Sequence, residues 1–176
     1  MSAFTVISHQ ELTGNASSVT FGSISGSYDH LCIKASARSD DVQYYDHFGI
    51  QFNSDTGSNY SNTNLFAFTT TPSSSSAATT QIQHLYGITA GSNLADTFGT
   101  ATIWIPQYTN TANFKQVIGT GAAENNSTTD SQWAVSMIAG LWSDTSAITD
   151  IDLFPAQGLD DFIQYSTFTL YGVTGA

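Results

Sequence analysis

The residues of this 176-residue chain that could move a proton or hold a metal are four histidines, one cysteine, two glutamates and a larger set of aspartates. His9, His30, His47 and His84 form no H-E-x-x-H pair or other ligand spacing, and Cys32 is the single thiol that could join them. Serines abound, yet none sits in a G-x-S-x-G elbow, the turn that exposes a nucleophile above a sheet. Glycoside hydrolysis needs two carboxyl groups facing each other across a cleft. Glu11 and Glu124 are the only glutamates, and Ala123-Glu124-Asn125-Asn126 reads as a solvated loop. The sequence therefore points to no catalytic group, no cofactor and no metal, and to a protein that is not an enzyme.

Two further groups need a reading. Asn53 to Asn64 is rich in oxygen ligands, but a twelve-residue calcium loop places Gly sixth and Glu twelfth, whereas here Gly57 is fifth and Asn64 twelfth. Asn and Asp side chains, with Gly57 at positive φ, account for a turn there without an ion. Asp40-Asp41, Asp150 with Asp152, and Asp160-Asp161 read as solvated turn or edge residues, which also discourage edge-to-edge pairing. Tyr44, Tyr45, Tyr60, Trp104 and Trp142 could stack on sugar rings. The alternative, core or subunit interface, suits large aromatics on strands better, and it makes Trp104, Trp133, Trp142 and Tyr171 the candidate interface residues.

These side chains sit on short strands. His30 to Arg38 alternates, with Leu31, Ile33, Ala35 and Ala37 on one side; Phe48, Ile50 and Phe52 repeat the pattern, and Pro106 closes a strand from Ala101 to Ile105. Trp133 to Trp142 is apolar on both faces, so it belongs near the centre of a sheet or under an interface. Further strands are expected at Phe4 to His9, Val19 to Ile24, Leu65 to Thr69, Lys115 to Gly119, Ile148 to Phe154 and Tyr165 to Gly172. Thr69 to Thr80, a run of Thr, Ser and Ala around Pro72, reads as a flexible surface loop (69–80). In the next stretch Ile82, Leu85 and Tyr86 have helical spacing but Gly87 and Gly91 follow, so a helical turn and a strand are both open. Nine or ten strands with turn signals between them predict a single all-β domain over 1–176, an antiparallel two-sheet sandwich of jelly-roll type.

Composition narrows the partners. The chain holds 23 Ser and 24 Thr but only three basic residues, Lys34, Arg38 and Lys115, against fourteen acidic ones, for a net charge of −11. Phosphate neutralisation needs clustered Lys and Arg, so nucleic acid and anionic membranes are unfavourable partners. No apolar run approaches the ~20 residues of a transmembrane helix, and Met1 to Ile7 lacks the basic and apolar regions of a signal peptide. A lone cysteine precludes an internal disulfide and fits synthesis in a reducing cytoplasm.

The runs Phe98 to Tyr108, Glu124 to Thr128, Ala139 to Thr149 and Gln164 to Val173, with a weaker match over Ser17 to Ser61, resemble a block of strands found in virion structural proteins of tailed bacteriophages. The resemblance implies a protein made in the host cytoplasm and located in the virion, most simply a capsid decoration (cement) protein. Its partners would then be the major capsid protein and copies of itself, as a homotrimer. The alternative is a tail-fibre or baseplate module that binds a host-surface glycan.

Overall fold

A computed structural model describes residues 4–158 and 160–174. The described residues are all-β, in twelve strands. β1 (Phe4–Glu11), β2 (Val19–Phe21), β3 (His30–Arg38) and β4 (Tyr45–Phe52) are followed by β5 (Tyr60–Ala67), β6 (Ser73–Thr79), β7 (Ile82–Thr89) and β8 (Gly99–Pro106). The last four are β9 (Lys115–Ala123), β10 (Ala134–Trp142), β11 (Ile151–Pro155) and β12 (Thr167–Val173). Alternation of burial along β8, β9 and β10 follows the two-residue period of a pleated strand, with Ala101, Ile103, Ile105, Val117, Ile138 and Trp142 inward.

The strands form one sheet in the order β2-β11-β4-β7-β3-β8-β9-β10-β5-β6, with β12 pairing β3 and β1 pairing β12. This corrects the expectation of a purely antiparallel arrangement: β3 and β7 run parallel where Ala37 meets Ile88 and Arg38 meets Thr89. A two-residue contact of this kind carries no alternation signal, because it depends on where two distant strand ends meet. The run 69–80, expected to be a loop, holds β6, which pairs with β5 from Tyr60 against Thr79 to Phe66 against Ser73. β6 lies at the sheet edge with a mostly exposed surface, so it needs backbone pairing but no buried apolar residues, and composition alone resembles a loop.

β7 resolves as a strand, and its helical spacing has a local cause. His84 adopts φ 68°, and the pairing of β7 with β4 shifts register between Phe48 and Ile50, so Ile82 and Leu85 both face the core although they are three positions apart, an odd spacing that alternation would put on opposite faces. A β-bulge can thus imitate one turn of helix in the sequence.

The sheet turns back on itself so that β7 lies across the inner faces of β8 and β9. A Cβ on Gly87 would fall 2.8 Å from the Thr100 carbonyl oxygen and 3.2 Å from Cα of Gly121, and one on Gly121 would fall 2.7 Å from the Tyr86 carbonyl oxygen. Gly140 is similarly filled by Ile82. Backbones touch here instead of standing the usual ~10 Å apart. Among the described residues no glycine has positive φ; these positions serve close approach, and the left-handed conformations fall to residues such as Asn53 (52°) and Ser54 (55°). The turn read around Gly57 is therefore carried by the two residues at its start. Away from the contact, a core of Phe48, Phe52, Phe162, Phe168, Leu31 and Ile33 fills the wider space.

Overpacking at such a contact costs about 1–3 kcal/mol. Gly87→Ala and Gly121→Ala should each lower the unfolding free energy by that amount in urea titrations. The double variant should cost less than the sum, because either methyl group alone separates the same two backbones.

Candidate functional site: an uncharged sheet face

Opposite the core, the outward residues of eight adjacent strands line up in transverse rows fixed by the register. One row runs Val6, Tyr171, Cys32, Trp104, Ile118, Ala139, Thr63. The next runs His9, Thr169, Lys34, Thr102, Thr120, Met137, Leu65, Ser74. A third runs Glu11, Thr167, Ser36, Thr100, Ala122, Val135, Ala67. At about 4.8 Å between strands and ~6.8 Å between rows the face covers roughly 700 Å².

Charge is confined to one end of these rows. His9, Glu11, His30 and Lys34 lie on β1 and β3, whereas β8, β9, β10, β5 and β6 contain one charged residue, Lys115. Lys115 points inward, where its Nζ donates to the carbonyls of Asn113 and Thr145 and burial lowers its pKa. The uncharged part is half-open to water at its largest side chains: Leu65 is 51% exposed, Ile118 49%, Val135 49% and Met137 47%. Together with Pro72, Thr102 and Thr120, three of these, Leu65, Val135 and Met137, border an apolar groove of about 550 Å³. Contiguous apolar surface of this kind marks an interaction site on a soluble domain. Hydroxyls of Thr and Ser between the apolar groups supply hydrogen bonds without the desolvation cost of a buried charge.

The four candidate interface residues divide. Trp104 and Tyr171 lie on this face, half-buried, with Phe4 packed 6.3 Å from the first ring and 6.0 Å from the second. Trp133 is half-buried just before β10. Trp142 is 1% exposed, stacked on Tyr60 and packed against Phe52 inside the fold, so it offers nothing to a partner. The five aromatics considered for sugar stacking do not converge: Tyr60 joins Trp142 in the core, Trp104 lies beside His30, and Tyr45 stacks on Phe68 next to Tyr86.

The loop after β4 uses its own oxygens. The Asp55 carboxylate accepts hydrogen bonds from Gly57 N (2.8 Å), Asn59 Nδ2 (2.9 Å) and Trp142 Nε1 (2.7 Å). Asn53 Oδ1 accepts from the backbone of Thr149 and Asp150. Bonding to Asn59, then Trp142, then Gly57 holds the Asp55 carboxyl below the usual carboxylate range. Glu124 accepts from the amides of Asn125 and Asn126 within its own loop. His9 bonds Thr169 and His30 accepts from Gln107 N, while His47 and His84, thirty-seven residues apart in sequence, pack with ring centres 4.9 Å apart at a tilt of 53°. Spacing in the chain could not reveal that last pair, since only the β4–β7 pairing brings it together.

Arg38 is a structural cation. Its guanidinium donates to the carbonyls of Leu94, Thr97, Gly91 and Asn93, which pins the 90–98 connection, and burial lowers its pKa.

No protein-family model, curated protein or solved structure matches this chain.

Asp55→Ala removes the acceptor of a buried indole N–H, an unmet donor that costs about 2 kcal/mol. Because the folded pKa is depressed, the stabilisation from ionised Asp55 is complete above its unfolded value near ~4 and fades as pH falls through the folded value. Thermal melts of the parent and variant should therefore differ most at neutral pH and converge as the pH falls below the folded value.

Proposed function

We propose that this chain is a structural component of a tailed-bacteriophage virion, a capsid decoration (cement) protein, which is made in the host cytoplasm and works by binding instead of by catalysis. The observation that carries the reading is the outer sheet face, where five neighbouring strands present no outward charge and expose Leu65, Ile118, Val135 and Met137. Its uncharged part covers roughly 500 Å², more than half of the ~800 Å² that one partner contributes to a standard interface. A reinforcing protein works through area, and its binding energy concentrates in a few apolar anchors. The major capsid protein and further copies of this chain, as a homotrimer, are the partners proposed for this face.

The jelly-roll form of the sandwich belongs to the same proposal. The face-to-face contact of β7 with β8 and β9 supports a two-layered arrangement.

The experiment is reconstitution on particles stripped of this protein. Wild-type chain should rebind and restore resistance to heat-induced genome release, while host adsorption is the same with and without it. Met137→Lys, which places a charge in the middle of the face, should fold with unchanged melting temperature but fail to rebind. Stripped particles that resist heat normally yet lose adsorption would contradict the decoration reading and favour a tail module that binds host glycan.

A further inference from the structure

Two loops far apart in sequence meet at one end of the sheet. The amide of Asp40 donates to the carbonyl of Asp161, the amide of Asp161 donates to Asp40 Oδ1, and Ser39 bridges Phe162. The amide of Ala156 donates to the His47 carbonyl and that of Gln157 to Asp46 Oδ1. This stitching brings carboxylate oxygens of Asp41, Asp46 and Asp160 within 4.8 Å of one another.

Three acids in contact would ordinarily be spread into solvent or matched by a cation of the protein. Neither holds here. Asp46 is 0% exposed and Asp41 7% exposed. Asp46 Oδ1 is satisfied by the amides of His47 and Gln157, and Asp41 Oδ1 by that of Gln43, but Oδ2 of each is buried with no hydrogen-bond partner. A second kind of oxygen lies in the same place: Ser39, 1% exposed, has its hydroxyl beside the Asp46 carboxylate but makes no hydrogen bond of ordinary length. Among the described residues the one ion pair is His47 Nδ1 to Asp46 Oδ1 at 4.0 Å. At that distance the ring makes no hydrogen bond to the carboxylate, and neither His47 nitrogen has a hydrogen-bond partner. Each buried, unpartnered carboxylate oxygen is costly unless something positive meets it.

We propose that Asp41, Asp46 and Asp160, with the Ser39 hydroxyl, form a calcium-binding site that fastens the β3–β4 connection to the segment after β11. The donor set is all oxygen, with carboxylates dominant, which selects a hard cation. Oxygens within 4.8 Å of one another lie no more than about 2.8 Å from a common point, so small side-chain movements bring them to the ~2.4 Å of calcium–oxygen bonds, whose flexible geometry suits this set better than the ~2.1 Å octahedron of magnesium. Asp160, half-exposed, gives the ion its route from solvent and leaves room for water ligands. The site joins the start of β4 to two loops and stands independently of the virion reading.

The test is calorimetric titration and thermal unfolding of the chelator-treated full chain with calcium chloride, magnesium chloride or zinc chloride. Calcium should bind at one site per chain and raise the melting temperature by about 5 °C at saturation, with a smaller response to magnesium. Asp160→Asn, at a half-exposed position that tolerates the change, should keep the metal-free melting temperature and lose most of the calcium-dependent rise. Asp46→Asn should lose it as well. Absence of calcium binding at millimolar concentration would overturn the proposal, as would an undiminished calcium response in Asp160→Asn or a stronger response to magnesium or zinc.

Discussion

The contact of Gly87 with Gly121 and the Thr100 carbonyl sets the shape of the rest of the fold. Two backbones in van der Waals contact leave no space between β7 and the β8–β9 pair, so core side chains are displaced to either side of the contact: Phe52, Tyr60 and Trp142 in one cluster, Phe48, Phe162 and Phe168 in another. The inner side of β8, β9 and β10 is thereby fully occupied. Any further apolar residue on those strands must face outward, and Ile118, Val135 and Met137 do. The closely packed inner side and the apolar outer side are two consequences of one alternation.

Charge is divided in space as sharply as polarity. Nearly all of the chain's acids lie on loops, on β11 or at the β1 end, and the five strands from β8 to β6 carry none outward. A net charge of −11 concentrated away from one face keeps the molecule soluble while that face remains free of self-repulsion. The same concentration forces Asp41, Asp46 and Asp160 together where the β3–β4 and β11–β12 connections cross, with no protein cation to balance them.

Strand positions were readable because half-buried strands declare themselves by period. β3 was legible to the residue from Leu31, Ile33, Ala35 and Ala37, and the two-sided apolar pattern of β10 anticipated a central strand with a sticky outer face. β6 was hidden, since an edge strand of serines has no period to read, and β7 was disguised by the bulge at His84. Trp142 was assigned to an interface because the sequence does not show that Asp55, eighty-seven residues away, would satisfy its indole N–H and let it be buried. The acidic site was invisible for a related reason: Asp41 and Asp160 look like ordinary turn residues until the fold buries one beside Asp46. For what the face binds, the sequence offers only a resemblance to phage virion proteins.

The central proposal is that this protein sits on a phage particle with the outer face of β5, β9 and β10 covered. Hydroxyl-radical footprinting of free and particle-bound protein, read by mass spectrometry, tests it directly, because Met137 reacts strongly when half-exposed. The account predicts strong protection of Met137 and Leu65 on the particle, with Val42 and Tyr165, exposed elsewhere on the molecule, unchanged. Equal reactivity of Met137 in both states would contradict it.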